Sequence, residues 1–472
     1  MNELVFPWTL RSNEEPPIGY DDLAVPFLAA EKRVSPLRVG VESEKFGLLL
    51  PSFTPVPYSA AVDGDPGADR AKDRSVTNLL SRFVALGFSE QREQCEGPVV
   101  SLLREQASIT LEPGAQLELS GAPHVDLHSA ALEIERHHAE LTELSKDLGM
   151  AWCSIGFHPF AKREELPWVP KLRYPVMREY LPSLGDGALD MMLRTATVQV
   201  NLDYTSEADA MRKLRAMLRI SPLVHAMTGH SPLREGHLTD NVSLRGDVWT
   251  RMDKSRSGLI DKMWSDREFR YIDYIEWALD AGMFLIKRHG EMVPNTGQSF
   301  RDFLRRGYQG HRATLSDWRL HLNTLFPEVR LKNTLEARCS DAQPKDTMMA
   351  VPAFWVGLIY DEAALSSAEA LASRYSLSDV RESRADMIGK GLQAKLGEHS
   401  VAELCVELLQ AAKGGLQRRA LRNAAHQDEC IYLQPLINLV EAGESPGDRL
   451  RRELTRSSPL NQADIVEMIR VA

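Results

Sequence analysis

Residues 196–204 read ATVQVNLDY, and apolar and polar side chains alternate along the whole stretch. In a strand, Val198 and Val200 would lie on one face, and Gln199 and Asn201 on the other, because side chains alternate with a period of two. This alternation is typical of an antiparallel sheet that has one face on a core and the other face in water.

Two further stretches predict strands of the same kind. Residues 38–47 (RVGVESEKFG) alternate, and residues 109–120 (ITLEPGAQLELS) contain two short pieces separated by Pro113 and Gly114. A proline and a glycine in succession mark a turn between the two pieces. We therefore expect neighbouring antiparallel strands, and we expect residues 51–67, which are rich in Pro, Gly and Asp, to form an exposed connection.

Helical patterns separate and follow the strands. Residues 126–148 carry apolar side chains at helical spacing, and Ser206 with Asp209 predicts a capped helix that runs to Arg219. The chain from about residue 366 is rich in Leu, Ala, Glu and Arg and predicts a mainly helical carboxyl-terminal part. The order indicates an α+β fold, and we expect a single domain over residues 1–472.

Composition excludes several classes of protein. The 472 residues carry a formal net charge of −10, which argues against a nucleic-acid or anionic-membrane partner. No segment is apolar enough to cross a bilayer, and the first seventeen residues show no secretory pattern. Five scattered cysteines without a CxxC pair indicate reduced thiols. We therefore expect a cytoplasmic protein that is a monomer or a homodimer.

Polar pairs at a spacing of two residues are the main candidates for chemistry. They are Glu42 with Glu44, Gln116 with Glu118 (preceded by Glu112), Gln199 with Asn201, and Glu336 with Arg338. In a strand such a pair points to one side at a separation of about 7 Å, within reach of one magnesium ion. A solvated strand face gives the same pattern, so spacing alone leaves the function open. The chain has no P-loop, GxSxG or HExxH motif.

Longer strings carry a resemblance to a known family. Residues 39–47 (VGVESEKFG), 111–123 (LEPGAQLELSGAP), 189–203 (LDMMLRTATVQVNLD), 326–332 (FPEVRLK) and 352–361 (PAFWVGLIYD) resemble plant-type glutamate–cysteine ligase, which is also found in many proteobacteria. The strings follow the family's order and cover nearly the whole chain. The resemblance implies an antiparallel sheet funnel of the glutamine synthetase and glutamate–cysteine ligase type, with helices packed outside it.

The resemblance also implies a reaction and a set of roles. ATP with Mg²⁺ would phosphorylate the γ-carboxylate of glutamate, and the amine of cysteine would displace the phosphate, the first step of glutathione synthesis. The metal ligands would be Glu42, Glu44, Glu112, Glu118 and Glu336. Arg338 and Arg330 would be catalytic, and the substrates would contact Arg194, Arg245, Met191, Met192, Gln199, Asn201, Thr334 and Trp355.

Departures from the family pattern concern the amine acceptor. Val41 and Ser43 stand where the family usually has Thr and His, and Thr334 replaces an aromatic residue. Cys339 and Ser340 replace a Gly-Ala pair. A ligase for another amine, a phosphotransferase of related fold and a non-catalytic binding protein therefore remain alternatives to cysteine ligation.

Overall fold

The computed structural model describes residues 15–34, 36–60, 73–456 and 461–472. The first fourteen residues, which entered the expectation of no secretory segment, lie outside the described residues. So do residues 61–67 of the predicted connection; the part that is described, residues 51–60, contains a short strand.

The strands of the described residues are β1 (Val39–Leu49), β2 (Thr54–Pro55), β3 (Ser89–Arg92), β4 (Val99–Arg104), β5 (Ala107–Leu111), β6 (Leu117–Ser120), β7 (Met150–Cys153), β8 (Thr197–Leu202), β9 (Leu233–Arg234), β10 (His237–Leu238), β11 (Ser257–Gly258), β12 (Leu285–Arg288), β13 (Glu291–Pro294), β14 (Phe326–Pro327), β15 (Val329–Leu331), β16 (Leu335–Asp341), β17 (Lys395–Leu396) and β18 (His399–Ser400).

The α-helices are α1 (Val25–Ala30), α2 (Val76–Val84), α3 (Leu127–Lys146), α4 (Tyr174–Tyr180), α5 (Ala188–Arg194), α6 (Glu207–Met227), α7 (Leu244–Thr250), α8 (Tyr271–Asp280), α9 (Phe300–Arg306), α10 (Leu315–Asn323), α11 (Ala350–Ile359), α12 (Glu362–Ala372), α13 (Leu377–Lys390), α14 (Val401–Arg419), α15 (Cys430–Glu441), α16 (Pro446–Arg456) and α17 (Gln462–Ile469). Among them none is long and apolar enough to cross a bilayer.

One antiparallel sheet dominates the fold, in the order β15-β16-β8-β1-β6-β5-β4-β3. The first half of β1 pairs with β6 and β8, and its second half pairs with β7 and β2. The predicted strands at residues 38–47, 109–120 and 196–204 are all present, and the α+β class is confirmed.

The two faces of the sheet differ as the alternation predicts. Val39 and Val41 of β1 join Val198 and Val200 of β8 in a buried apolar cluster with α6 and α11. The apolar face of β4, β5 and β6 packs in a second cluster with α2 and α3. The helices therefore cover the apolar face, and the opposite face keeps the polar side chains.

Helix α6 runs past its predicted end at Arg219 to Met227, although Pro222 lies inside it. Proline has no N–H to donate to the carbonyl of Leu218, four residues earlier. The Ser221 hydroxyl donates to that carbonyl instead, at 2.9 Å. Since the last turns are also buried against the core, the helix continues through the proline.

The carboxyl-terminal part is helical, as the sequence predicts, with α13 to α17 and only the small β17–β18 hairpin. Helix α14 packs against α11 in close contact, since Gly415 and Gly357 face each other across the two helices. The assignment of residues 1–472 to one domain stays a prediction.

The close approach of α11 and α14 predicts a large effect of one methyl group. A Cβ added at Gly415 would lie 1.8 Å from the carbonyl oxygen of Gly357, which is backbone and cannot move aside. We expect Gly415→Ala to lower the free energy of unfolding by about 1–3 kcal/mol or more, because overpacking forces the helices apart. Urea denaturation monitored by circular dichroism measures this change.

Gly414 is the matched control on the same helix. An added Cβ there would meet only the flexible Arg418 side chain, at 3.2 Å. Gly414→Ala should stabilise the protein by up to about 1 kcal/mol through helix propensity. Equal effects of the two substitutions would contradict the packing argument.

Candidate active site

The polar face of the sheet brings the predicted carboxylates together by strand register. Glu44 of β1 is directly opposite Glu118 of β6, and Glu42 of β1 is opposite Gln199 of β8. Glu336 of β16 is opposite Asn201 on the far side of β8. The residues that were predicted from four separate stretches therefore lie on neighbouring strands of one face.

Amides on β8 hold two of the carboxylates. Asn201 donates from Nδ2 to Glu42 Oε1 at 2.7 Å, and Gln199 donates from Nε2 to Glu44 Oε1 at 3.2 Å. The other Glu44 oxygen accepts from the backbone N–H of Thr197 at 3.0 Å. Gln199 and Asn201 are therefore placed to orient Glu42 and Glu44.

A cavity of about 480 Å³ opens over this face, and we call it the catalytic cavity. Three of the predicted metal ligands line it: Glu44, Glu112 and Glu118. The cationic residues on its wall are Arg92, Lys171, Arg173, Arg245, Arg330, Lys332 and Arg338. The cavity thus combines carboxylates on its sheet side with a large set of cations, an arrangement that suits a metal ion and an anionic ligand.

The carboxylates repel one another. Burial, followed by the charges of Glu118 and Glu336, raises the pKa of Glu42 to about 8. Burial and the charges of Glu112 and Glu118 raise the pKa of Glu44 well above its ordinary value. The pKa of Glu112 is raised for the same reasons. A cation placed among these groups would relieve that repulsion.

The donors fit a magnesium ion, although the protein alone does not form a closed cage. Among the described residues, no three histidine, cysteine, aspartate or glutamate side chains are grouped as a ready metal site. Mg²⁺ usually binds one or two protein carboxylates and takes its other ligands from water and phosphate oxygens. Carboxylate oxygens at Glu44, Glu112 and Glu118 therefore suit Mg²⁺ that arrives together with a nucleotide.

Glu336 has a different environment from the other predicted metal ligands. It is fully buried, and it pairs with Arg330 at 2.7 Å, with Lys332 at 2.8 Å and with Arg338. These cations hold the pKa of Glu336 well below its ordinary value, against the effect of burial. The structure does not bring this carboxylate to the cavity wall, because three cations already neutralise it.

The two arginines predicted to be catalytic differ in their available donors. Arg330 donates from Nε and Nη2 to Glu336, and from Nη1 to the carbonyls of Asn323 and Leu325. All its N–H groups are thus used within the protein. Arg338 bonds Glu336 and Gln199 through Nη1, whereas its buried Nε has no partner among the described residues.

Arg245 is the predicted substrate-binding residue with the strongest structural support. Its side chain is buried, and its Nη2 donates to the carbonyl of Arg338 at 2.7 Å. Its Nε and Nη1 have no hydrogen-bond partner among the described residues. Buried N–H groups normally find an acceptor, so this guanidinium is ready to receive a carboxylate.

Of three other residues that were predicted to contact substrate, two line the cavity and one does not. Met191 and Met192, on α5, line it. Arg194 turns away from it toward Asp190 and Glu235, at 3.7 and 3.3 Å.

Two further predicted contacts are corrected by the structure. Trp355 lies on α11 inside the apolar core, on the opposite face of the sheet, because that helix is apolar all round. Thr334 is not among the residues that line the cavity; its hydroxyl donates to Asn201 Oδ1 at 2.8 Å. Any influence of Thr334 on the cavity would therefore pass through its hydrogen bond to Asn201, which in turn donates to Glu42.

Several lining residues had no signal in the sequence. Lys171 and Arg173 precede α4, Trp249 lies on α7 and Phe326 begins β14. From the sequence alone, Arg173 could be described only as an arginine, a residue type that suits a carboxylate. Tertiary contacts bring these residues to the cavity, and no periodic pattern marks them.

A second cavity, of about 960 Å³, lies beyond the wall formed by Arg245, Trp249, Phe326 and Arg338, which line both cavities. In the described part of the chain, none of the five predicted metal carboxylates lines it. We therefore place the candidate active site in the catalytic cavity.

Comparison with known proteins agrees with the fold. Residues 38–467 match the glutamate–cysteine ligase family 2 (GCS2). The chain is 36% identical over 437 residues to the chloroplastic glutamate–cysteine ligase B of Oryza sativa subsp. japonica, covering 92% of this chain and 84% of the rice protein. It is 34% identical over 438 residues to the chloroplastic enzyme of Arabidopsis thaliana, covering 92% and 79%.

The fold resembles a glutamate–cysteine ligase from Francisella tularensis, solved in complex with AMP, with a TM-score of 0.55 and 11% identity. The match covers 93% of this chain and 88% of that one. The predicted fold of the glutamate–cysteine ligase type is thereby confirmed.

These findings define the class of the protein as an ADP-forming carbon–nitrogen ligase. Within that class, the chain belongs to glutamate–cysteine ligase family 2, which confirms the resemblance seen in the sequence. The prediction of a cytoplasmic location is wrong by the same comparison, because the rice and Arabidopsis relatives are both named as chloroplastic enzymes.

The contrast between Glu336 and Glu42 predicts opposite effects of the same substitution. Glu336→Gln would leave three buried cations without their counter-ion, and we expect a loss of about 3–5 kcal/mol of stability. Glu42→Gln would remove a repelled charge, and we expect no loss or a gain at pH 8.5. Urea denaturation with EDTA present measures both changes.

The direction of each pKa shift determines whether stability rises or falls as the pH changes. The pKa of Glu42 is raised above its ordinary value of 4.5, so its ionisation lowers stability as the pH rises from 4.5 to about 8. The pKa of Glu336 is lowered, so its contribution is present above 4.5 and is lost as the pH falls below that value. Equal losses for the two variants at pH 8.5 would contradict this assignment.

Proposed function

We propose that this protein joins the γ-carboxylate of glutamate to the amine of cysteine with consumption of ATP, the first step of glutathione synthesis. The observation that carries the proposal is the convergence of Glu44, Glu112 and Glu118 in one cavity with Arg245, whose Nε and Nη1 have no partner among the described residues. Membership in the glutamate–cysteine ligase family supports the choice of both amino acids.

The reaction follows from the poor reactivity of a carboxylate. An oxygen of the γ-carboxylate attacks the γ-phosphorus of ATP, and ADP leaves. The cysteine nitrogen then attacks the carbonyl carbon, phosphate leaves with the bonding electrons, and the nitrogen loses a proton. No nucleophile of the protein is needed, which fits the absence of a nucleophile motif from the sequence.

Glu44, Glu112 and Glu118 are the residues that would hold magnesium. Bound Mg²⁺ supplies charge neutralisation on the phosphate oxygens, so that an anionic nucleophile can approach. Thr110 and Ser120 donate to Glu118 at 2.7 and 3.0 Å. Together with the amides on β8, these hydroxyls fix carboxylate orientation before any ligand binds.

Arg245 would bind a carboxylate of glutamate that does not react. Arg245 lines the cavity, and its Nε and Nη1 have no partner among the described residues. Its guanidinium lies 5.6 Å from the centre of the Trp249 ring, which helps to orient it. A planar guanidinium can form two parallel hydrogen bonds with one carboxylate. Glutamate would then lie between Arg245 and the metal carboxylates.

The side chains proposed to contact the acceptor favour cysteine only indirectly. Met191 and Met192 offer a soft apolar surface on which a thiol-bearing side chain can pack. No charged group is dedicated to the thiol in this proposal. Because discrimination by apolar contacts is worth only about 1–3 kcal/mol per methylene group, a small amino acid such as 2-aminobutyrate should compete.

Measurement of ADP release with glutamate and a panel of amines tests the proposed function. We expect ADP release only when glutamate, ATP and an amine are all present, with cysteine active and 2-aminobutyrate within about tenfold of it in kcat/KM. Glu44→Gln should abolish turnover, and the exposed Glu143→Gln should leave it unchanged. A stable phosphoproduct without amine would identify a phosphotransferase, and activity with another amine but not cysteine would identify a specialised ligase.

A second prediction concerns Arg245. Arg245→Lys keeps the charge but loses the planar fork, so the KM for glutamate should rise by about 10- to 100-fold while the KM for ATP changes little. Arg251→Lys, at the carboxyl-terminal end of the same helix, is the control, because Arg251 forms partly exposed ion pairs with Asp186 and Asp247. Equal changes in the KM of both substrates would argue against carboxylate binding by Arg245.

A further inference from the structure

We propose that Lys171 binds the phosphate group that is transferred, on the wall of the catalytic cavity that faces the metal carboxylates. This inference rests on the proposed function and adds a residue to it. The observation behind it is a buried ammonium on the cavity wall with no anionic partner of its own.

The environment of Lys171 is unusual for a lysine. Its residue is 7% exposed, and among the described residues its ammonium forms no hydrogen bond and no ion pair. Its Nζ lies 5.7 Å from the centre of the Tyr174 ring. A buried charge without a partner is costly, so a bound anion would stabilise this arrangement.

The segment that carries Lys171 is held in place by contacts of its neighbours. The backbone N–H of Leu172 donates to a carboxylate oxygen of Glu93 at 2.6 Å, and the Tyr174 hydroxyl donates to the carbonyl of Leu111 at 3.1 Å. The backbone N–H of Val169 donates to the carbonyl of Pro113 at 2.9 Å. Two of these acceptors flank Glu112, so the segment is fixed to the strand end that carries a metal carboxylate.

Other cations on the wall are less available. Arg330, Lys332 and Arg338 all pair with Glu336, and Arg330 has no donor left. The arginine two residues after Lys171, Arg173, stacks on Tyr174 at 5.0 Å. Apart from Arg245, which is proposed to bind a glutamate carboxylate, Lys171 is therefore a cation of this wall that can bind a new anion without breaking an ion pair.

Phosphate is the anion that fits this position. Glu112, Glu118 and Lys171 line the same cavity, and the two carboxylates are among the charges that act on the ammonium. A phosphate group held by Lys171 would therefore share the cavity with the carboxylates proposed for magnesium. Lysine provides a compact positive charge for phosphate, whereas a carboxylate is better matched by the fork of an arginine such as Arg245.

Titration calorimetry with Mg²⁺ and a non-hydrolysable ATP analogue that carries the γ-phosphate, without glutamate or cysteine, tests the inference apart from turnover. Lys171→Met should weaken binding of the analogue by about 10- to 100-fold, the usual effect of losing a hydrogen bond to a charged group. Lys171→Arg should recover part of that loss, because it keeps the charge. Lys162→Met, which changes an exposed lysine on the same segment, should bind the analogue as the wild type does.

Thermal unfolding separates binding from a structural role. Lys171→Met should not lower the melting temperature, because it removes a buried charge without a partner. Unchanged affinity of Lys171→Met for the ATP analogue would overturn the inference, and so would weaker glutamate binding with normal binding of the analogue. A large drop in melting temperature in both Lys171 variants would show a structural role and would overturn it as well.

Failure of this inference is distinguishable from failure of the proposed function. ADP release by the wild type with glutamate and cysteine tests the function, whereas affinity for the ATP analogue tests Lys171. A wild type that turns over while Lys171→Met binds the analogue normally would leave the function intact and remove only the role of this lysine.

Discussion

The register of β1 between β6 and β8 is the constraint on which the rest of the site depends. Glu42 and Glu44 point to the polar face only because Val39 and Val41 are buried on the other face. A slip of one residue would place the carboxylates in the apolar core and the valines in the cavity. The free energy that buries the apolar side chains therefore also sets the position of the carboxylates.

The same sheet carries two opposite electrostatic environments. On β1, burial and the neighbouring carboxylates raise the pKa values of Glu42 and Glu44. On β15 and β16, Glu336 lies among three cations, and its pKa falls. The ion pairs around Glu336 form a structural network that stabilises the edge of the sheet. The repulsion among the carboxylates near β1 is tolerated by the fold because a ligand can relieve it.

The sequence predicted the strands and most of the carboxylate cluster, because a period of two is visible in a single stretch of chain. It did not predict that the Glu336 carboxylate would form ion pairs with Lys332 and two arginines, since ion pairs between strands depend on register. It also misplaced Trp355, because a tryptophan in an apolar helix gives no sign of which side of the sheet the helix covers. Lys171 could not be found at all, since it lies in an irregular segment whose position depends on contacts with β5 and its neighbours.

The distribution of the cations follows from these differences in environment. Arg330 is fully engaged within the fold and so contributes to stability, whereas Arg245 and Lys171 keep buried donors or charge without a partner and so reduce it. If such groups served packing alone, apolar residues in their place would make the protein more stable. Their presence in one cavity with three carboxylates is explained by ligands that carry negative charge at two separate points. Glutamate and ATP together have that distribution, with a carboxylate at one end and a triphosphate at the other.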